Sequence, residues 1–147
     1  MRVFYAHSSG DPLKDIEESK KQIKALITEK IITEKGYAPA VNVVSGRDDH
    51  RRHWRGDWAA WQESVLARKN ALTGEPVYSM FVIKSEYCGK ATANILGAAL
   101  TMQRPVFYWD GNGAFSRIQR IDVQDPENWT MGFRVCREPQ QLPIFQE

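Results

Sequence analysis

Apolar residues run along the chain in short blocks whose spacing alternates between a buried strand and a helix face. Val3-Phe4-Tyr5-Ala6 is an uninterrupted apolar run, so residues 2–6 read as a buried strand. The small and polar residues His7-Ser8-Ser9-Gly10-Asp11-Pro12 follow as a turn. From Leu13 the positions Leu13, Ile16, Ile23, Leu26/Ile27 and Ile31 recur at helical spacing, with Lys and Glu between them and Gly36 as a stop. Tyr37 to Val44 is apolar and β-branched, which predicts a second strand, and Ser45 to His53 is a polar loop. Trp54, Trp58, Trp61 and Val65 stand at i, i+4, i+7 and i+11, so a second helix is predicted from Trp54 to about Asn70.

Val77 to Lys84 is the strongest strand pattern, entered through the turn residues Thr73-Gly74-Glu75-Pro76. Ala91 to Met102 favours a helix, Val106 to Trp109 another strand, and Asp110-Gly111-Asn112-Gly113 a loop. Beyond it the signal weakens to a short strand at Gly132 to Cys136 and a Pro-containing tail expected as an irregular cap. Strands alternating with helices imply a parallel sheet covered on both faces. The expected architecture is therefore one α/β domain over residues 1–147, Rossmann- or flavodoxin-like. About five parallel strands should form its centre, with those at residues 2, 77 and 106 in the middle. Such sheets bind ligands outside the carboxyl ends of their strands, which selects the loops after residues 6, 44, 84 and 109.

Composition changes this picture little. Apolar residues are 42% and charged residues 26% of 147, which is globular and argues against disorder or a coiled coil. No apolar run approaches the ~20 residues of a membrane span. Met1-Arg2 leads straight into the first strand, so no leader segment is expected. Cys88 and Cys136 are far apart and form no metal-type spacing, so a reduced, cytoplasmic protein is expected. A net charge of +2 is too mild to imply nucleic acid.

The selected loops carry the candidate chemistry. Ser8, Ser9 and Gly10 let backbone N–H groups approach an anion at a helix start, although an ordinary capped turn has the same residues. Ser45 to Arg55 holds four arginines, two histidines and two aspartates. Arg47 and Arg51 suit phosphate, against the alternative of a solvated face. His50 and His53 lack a third ligand, so no metal is expected. The three tryptophans suit a core or a subunit interface, and a homodimer or higher homo-oligomer is expected from them. Asp57 lies where a first-turn acid complements the helix dipole. Glu86, Tyr87 and Gly89 lie in the loop after the strongest strand, a common address for catalytic or sugar-binding groups.

Three stretches give the chain a resemblance to the nucleoside 2-deoxyribosyltransferase-like superfamily, over residues 2–110. They are the opening Val3-Phe4-Tyr5-Ala6-His7-Ser8-Ser9-Gly10, the helix entry Trp54-Arg55-Gly56-Asp57, and the segment from Gly89 through Leu96-Gly97 to Arg104-Pro105-Val106. The resemblance implies N-glycosidic transfer or hydrolysis on a nucleoside or nucleotide. It departs from the family at Ile95, which stands where the nucleophilic glutamate belongs and cannot attack an anomeric carbon. The His-Ser-Ser opening and Asp11 also resemble Toll/interleukin-1 receptor domains, some of which cleave nicotinamide adenine dinucleotide.

Two nucleotide functions therefore compete, the enzyme leading, beside a blander third class, an interaction protein that uses the tryptophan helix as its contact surface. In a transferase or hydrolase, Glu86 and Asp57 would replace the missing carboxylate, while Ser8, Ser9, Gly10, Arg47, Arg51, Tyr87 and Gly89 hold the ligand. In a non-catalytic nucleotide sensor or sequestering protein the pocket persists without the chemistry. Both take a small nucleoside or nucleotide as partner, without bound cofactor, membrane or nucleic acid.

Overall fold

In a computed structural model, which describes residues 1–138, the α/β alternation holds and the sheet is larger than expected. The elements are β1 (Arg2–Ala6), α1 (Leu13–Lys35), β2 (Asn42–Ser45), α2 (Gly46–His53), α3 (Trp58–Ala67) and β3 (Met80–Ile83). There follow β4 (Tyr87–Cys88), α4 (Lys90–Thr101), β5 (Val106–Trp109), β6 (Phe115–Val123) and β7 (Phe133–Arg137). Seven strands pair in the order β2-β1-β3-β5-β6-β7-β4. The first four are mutually parallel, whereas β6, β7 and β4 each run antiparallel to the preceding neighbour. This corrects the expected five-stranded parallel sheet. The Pro-containing tail lies largely outside the described residues.

Helices do cover both faces. On one side Ile16, Ile23, Ile27 and Ile31 of α1 pack on Val3, Tyr5, Val43 and Val82. On the other, Trp61, Val65 and Leu66 of α3 and Ile95 and Leu96 of α4 pack on Phe4, Phe81 and Val106. Each fully buried aliphatic side chain contributes roughly 1.5–3 kcal/mol, so the sheet faces dominate the stability. Gly36 ends α1 as predicted, with φ +80 and its N–H donated to the Ile32 carbonyl.

Four local expectations change. Residues 45–53 are not a loop but the cap and body of α2: Ser45 Oγ accepts the Asp48 N–H at 3.1 Å, with acids in the first turn and bases in the last. The tryptophan helix is accordingly shorter, and Trp54 closes α2 instead of opening α3. The second strand begins at Asn42, since Tyr37 is exposed and Pro39 has no N–H for a ladder. The third begins at Met80, because Val77 donates its N–H to Arg68 and pairs with the chain leaving α3. β6 was not anticipated; it returns from β5 through a hairpin in which Asp110 Oδ1 accepts the N–H groups of Asn112 and Ala114. Among the described residues no helix is long and apolar enough to cross a membrane.

Candidate functional site

From β1 the chain goes outward to β2 and returns on the other side of β1 to β3, so strand order reverses between β1 and β3. At the carboxyl ends of these strands, on the α3/α4 face, lies a cavity of about 610 Å³. Five segments form it: the turn after β1, one side of α2, the start of α3, the start of α4, and the stretch between β6 and β7.

His7 ties the first two together. Its Nε2 accepts the N–H of Arg47 at 3.2 Å, which leaves Nδ1 to donate to the Ser8 carbonyl at 2.9 Å. Ser8 Oγ accepts the Gly10 N–H at 3.2 Å, so Gly10 serves the turn while Ser8 and Ser9 line the cavity. Arg47, His50 and Arg51 reach it from one side of α2. No side chain caps α4, whose Gly89, Ala91 and Thr92 also line the cavity, so its N-terminal dipole faces the space.

The aromatic wall is built around His50. Its ring lies 4.6 Å from Trp54, 4.8 Å from Trp58 and 5.0 Å from Trp61. His50 Nε2 is buried without a hydrogen-bond partner. Trp61 is buried, while Trp58 is 53% exposed within the cavity lining. The indole N–H of Trp61 donates to Asp49 Oδ1 at 2.8 Å, and Asp49 Oδ2 accepts from Arg68 and from the Tyr78 hydroxyl. Burial, then the bond to Asp49, pushes the Tyr78 phenol above its ordinary range and keeps it a donor. This buried carboxylate locks α2 to α3 and to the approach to β3.

The structure thus gathers Ser8, Ser9, Arg47, Arg51 and Gly89 around one space, with Ile95 in its wall. It does not bring Gly10, Asp57, Glu86 or Tyr87 into that lining. Tyr87 belongs to β4, which pairs with β7, and Glu86, just before that strand, faces Arg137 at 3.9 Å. Tyr87 takes the Ser85 hydroxyl on its carbonyl at 2.6 Å. Asp57 caps α3, accepting the Ala59 N–H at 2.9 Å. Asp57→Ala should therefore cost about 0.5–2 kcal/mol of stability in urea denaturation and leave ligand affinity unchanged. A loss of ligand binding at unchanged stability would return Asp57 to the site.

His7, His50, Trp129 and Thr130 belong to the lining without having been singled out as site residues. For Trp129 the signal lay in a polar turn, Asp125-Pro126-Glu127-Asn128, leading into a tryptophan that is 66% exposed. Lys90 stands over that indole at 4.3 Å. Among the described residues no group of three or more His, Cys, Asp or Glu is placed to hold a metal. Cys88 is buried, which pushes its thiol up to about 11 and keeps it protonated at neutral pH. Comparison of the chain with protein-family models, with curated proteins and with solved structures gave no match.

Proposed function

We propose that the cavity binds a phosphorylated nucleoside and holds it without cleaving it. The observation that carries this reading is that Arg47, Arg51 and the exposed indole of Trp58 open into the same space. A guanidinium fork matches phosphate oxygens in paired, charge-assisted bonds. Indole faces suit a planar base, and Ser8, Ser9 and the uncapped start of α4 offer further donors to an anion. The volume, about 610 Å³, falls within the roughly 300–1,000 Å³ of small-molecule sites.

The resemblance to nucleoside 2-deoxyribosyltransferases supports the same ligand class. Cleavage of an N-glycosidic bond passes through an oxocarbenium-like state that needs a carboxylate beside the sugar. The cavity lining carries none among the described residues, and it includes Ile95, the residue that the resemblance puts at the position of the family glutamate. Binding without transfer is the reading that fits these residues best.

Calorimetry with nucleosides and nucleoside monophosphates, followed by chromatography of the recovered ligand, tests it. Intact ligand is expected. Release of free base would restore the transferase or hydrolase reading, including cleavage of a nicotinamide dinucleotide if that is the substrate consumed. Arg47→Ala should weaken a monophosphate about tenfold or more and spare the matching nucleoside, because a charge-assisted contact is worth ~1.5–3 kcal/mol. Equal loss for both ligands would remove Arg47 from the phosphate position.

A further inference from the structure

A second cleft, of about 190 Å³, lies across α2 from the first cavity. At 3.6 residues per turn the two sets of α2 side chains fall on roughly opposite sides of the helix. Arg47, His50 and Arg51 line the first cavity, whereas Asp49, Arg52 and His53 line the second. Arg2 from the start of β1, Arg68 from the end of α3 and the following Lys69 complete its charged lining. Four permanent cations therefore surround one carboxylate.

That carboxylate is already spent. Both oxygens of Asp49 are occupied by Trp61, Arg68 and Tyr78. Arg2, Arg52 and Lys69 are exposed, and none of them forms an ion pair among the described residues. His53 registers the resulting field. Burial first, then the charges of Arg68, Arg55 and Arg52, hold its imidazole below the usual range, with Asp49 acting the other way.

We propose that this cleft is a second binding site, taking a phosphate-sized oxyanion between Arg52, Lys69, Arg2 and Arg68. Its volume selects the class of ligand. At about 30 Å³ per water, 190 Å³ holds an oxyanion and a few waters but falls below the usual range for a whole nucleotide. The chemistry is complementary as well, since the side chains of Arg2, Arg52 and Lys69, without carboxylate partners among the described residues, stand around this space beside the Asp49-paired Arg68. The inference does not depend on the ligand of the first cavity.

Inorganic phosphate is the probe, titrated into the whole chain at ionic strength held constant with sodium chloride, with melting temperature and calorimetric heat as readouts. Phosphate should raise the melting temperature where chloride does not. Arg52→Ala with Lys69→Ala should weaken phosphate about tenfold or more, both residues being exposed and safe for folding. Lys21→Ala with Lys24→Ala, exposed cations of α1 that line neither cavity, should leave the phosphate response in place. Phosphate acting no better than matched chloride would overturn the proposal. So would a response that survives the Arg52/Lys69 change, or one that falls equally with the Lys21/Lys24 change. A chain that takes phosphate here but no nucleotide in the first cavity keeps this site and loses the reading of the other.

Discussion

Asp49→Ala should lower the stability of the protein by about 3–5 kcal/mol, a large share of the 5–15 kcal/mol that holds most domains folded. Asp49 is 1% exposed, and its two oxygens collect an indole N–H, a guanidinium and a phenol from α3, the chain after it and the approach to β3. Removing the carboxylate leaves three donors in a dry interior, one of them charged and 80% covered, since only 20% of the Arg68 side chain is exposed. The cost is that of stranded polar groups more than of one lost ion pair. Asp49→Asn should fall close to the alanine variant. An amide keeps one oxygen for Trp61 and its NH2 can donate to the Tyr78 hydroxyl, but it also turns that NH2 toward the Arg68 guanidinium, which has no acceptor and is left unpaired. Urea midpoints read both changes, and a loss below about 1 kcal/mol in either would show that α2 is held by something else.

The same residue explains why part of the fold could not be read from the sequence. β1, α1, α4 and β5 carry apolar runs or helical periodicity, and their bounds fall within a residue or two of those expected. The segment Gly46–His53, GRDDHRRH, has no apolar stripe at all. It is helical because Ser45 caps it, its charges complement its dipole, and its one buried side chain finds three partners elsewhere in the chain. Only tertiary structure supplies those partners. β6 and β4 fail for a related reason: β4 is two residues long, and β6 mixes Phe115, Ile118 and Ile121 with Ser116, Arg117, Gln119, Arg120 and Asp122 in a half-exposed strand.

The site was legible to a similar depth. Reversal of strand order and small-residue loops selected Ser8, Ser9, Arg47, Arg51 and Gly89, all of which meet in one cavity. Glu86 and Tyr87 are expected in the site only if the loop after β3 opens straight onto the sheet end. Instead the chain first pairs with β7, a strand nearly fifty residues later, and that pairing turns Glu86 toward Arg137. A one-dimensional pattern does not contain that contact. The tryptophans divide in the same way: helical spacing puts Trp54, Trp58 and Trp61 on one stripe suited to a core or an interface, but only the neighbouring His50 and the end of α2 decide that Trp61 is buried and Trp58 faces the cavity.

Gly89→Ala should destabilise the protein by about 1–3 kcal/mol and weaken the ligand of the first cavity together with it. The backbone there has φ −82 and ψ 176, which any residue adopts, so the demand for glycine is one of space. A Cβ would stand 2.5 Å from the Trp129 carbonyl oxygen and 3.4 Å from the Thr130 Cα. Both neighbours are backbone, and the Lys90 N–H holds the same carbonyl at 3.1 Å, so the clash cannot be relieved by turning a side chain. Relief requires the segment before β7 to move off the start of α4, carrying Trp129 and Thr130 out of the cavity wall. Gly97 in the same helix is the control, with nothing within 4 Å of its Cβ position. Gly97→Ala should gain roughly 0.5–1 kcal/mol from helix propensity alone. Denaturation and nucleoside monophosphate calorimetry on the two variants give opposite signs of stability change, with a fall in affinity of about tenfold or more for Gly89→Ala only. If Gly89→Ala matched the unmodified protein in both, the segment carrying Trp129 would not be a fixed wall of the site.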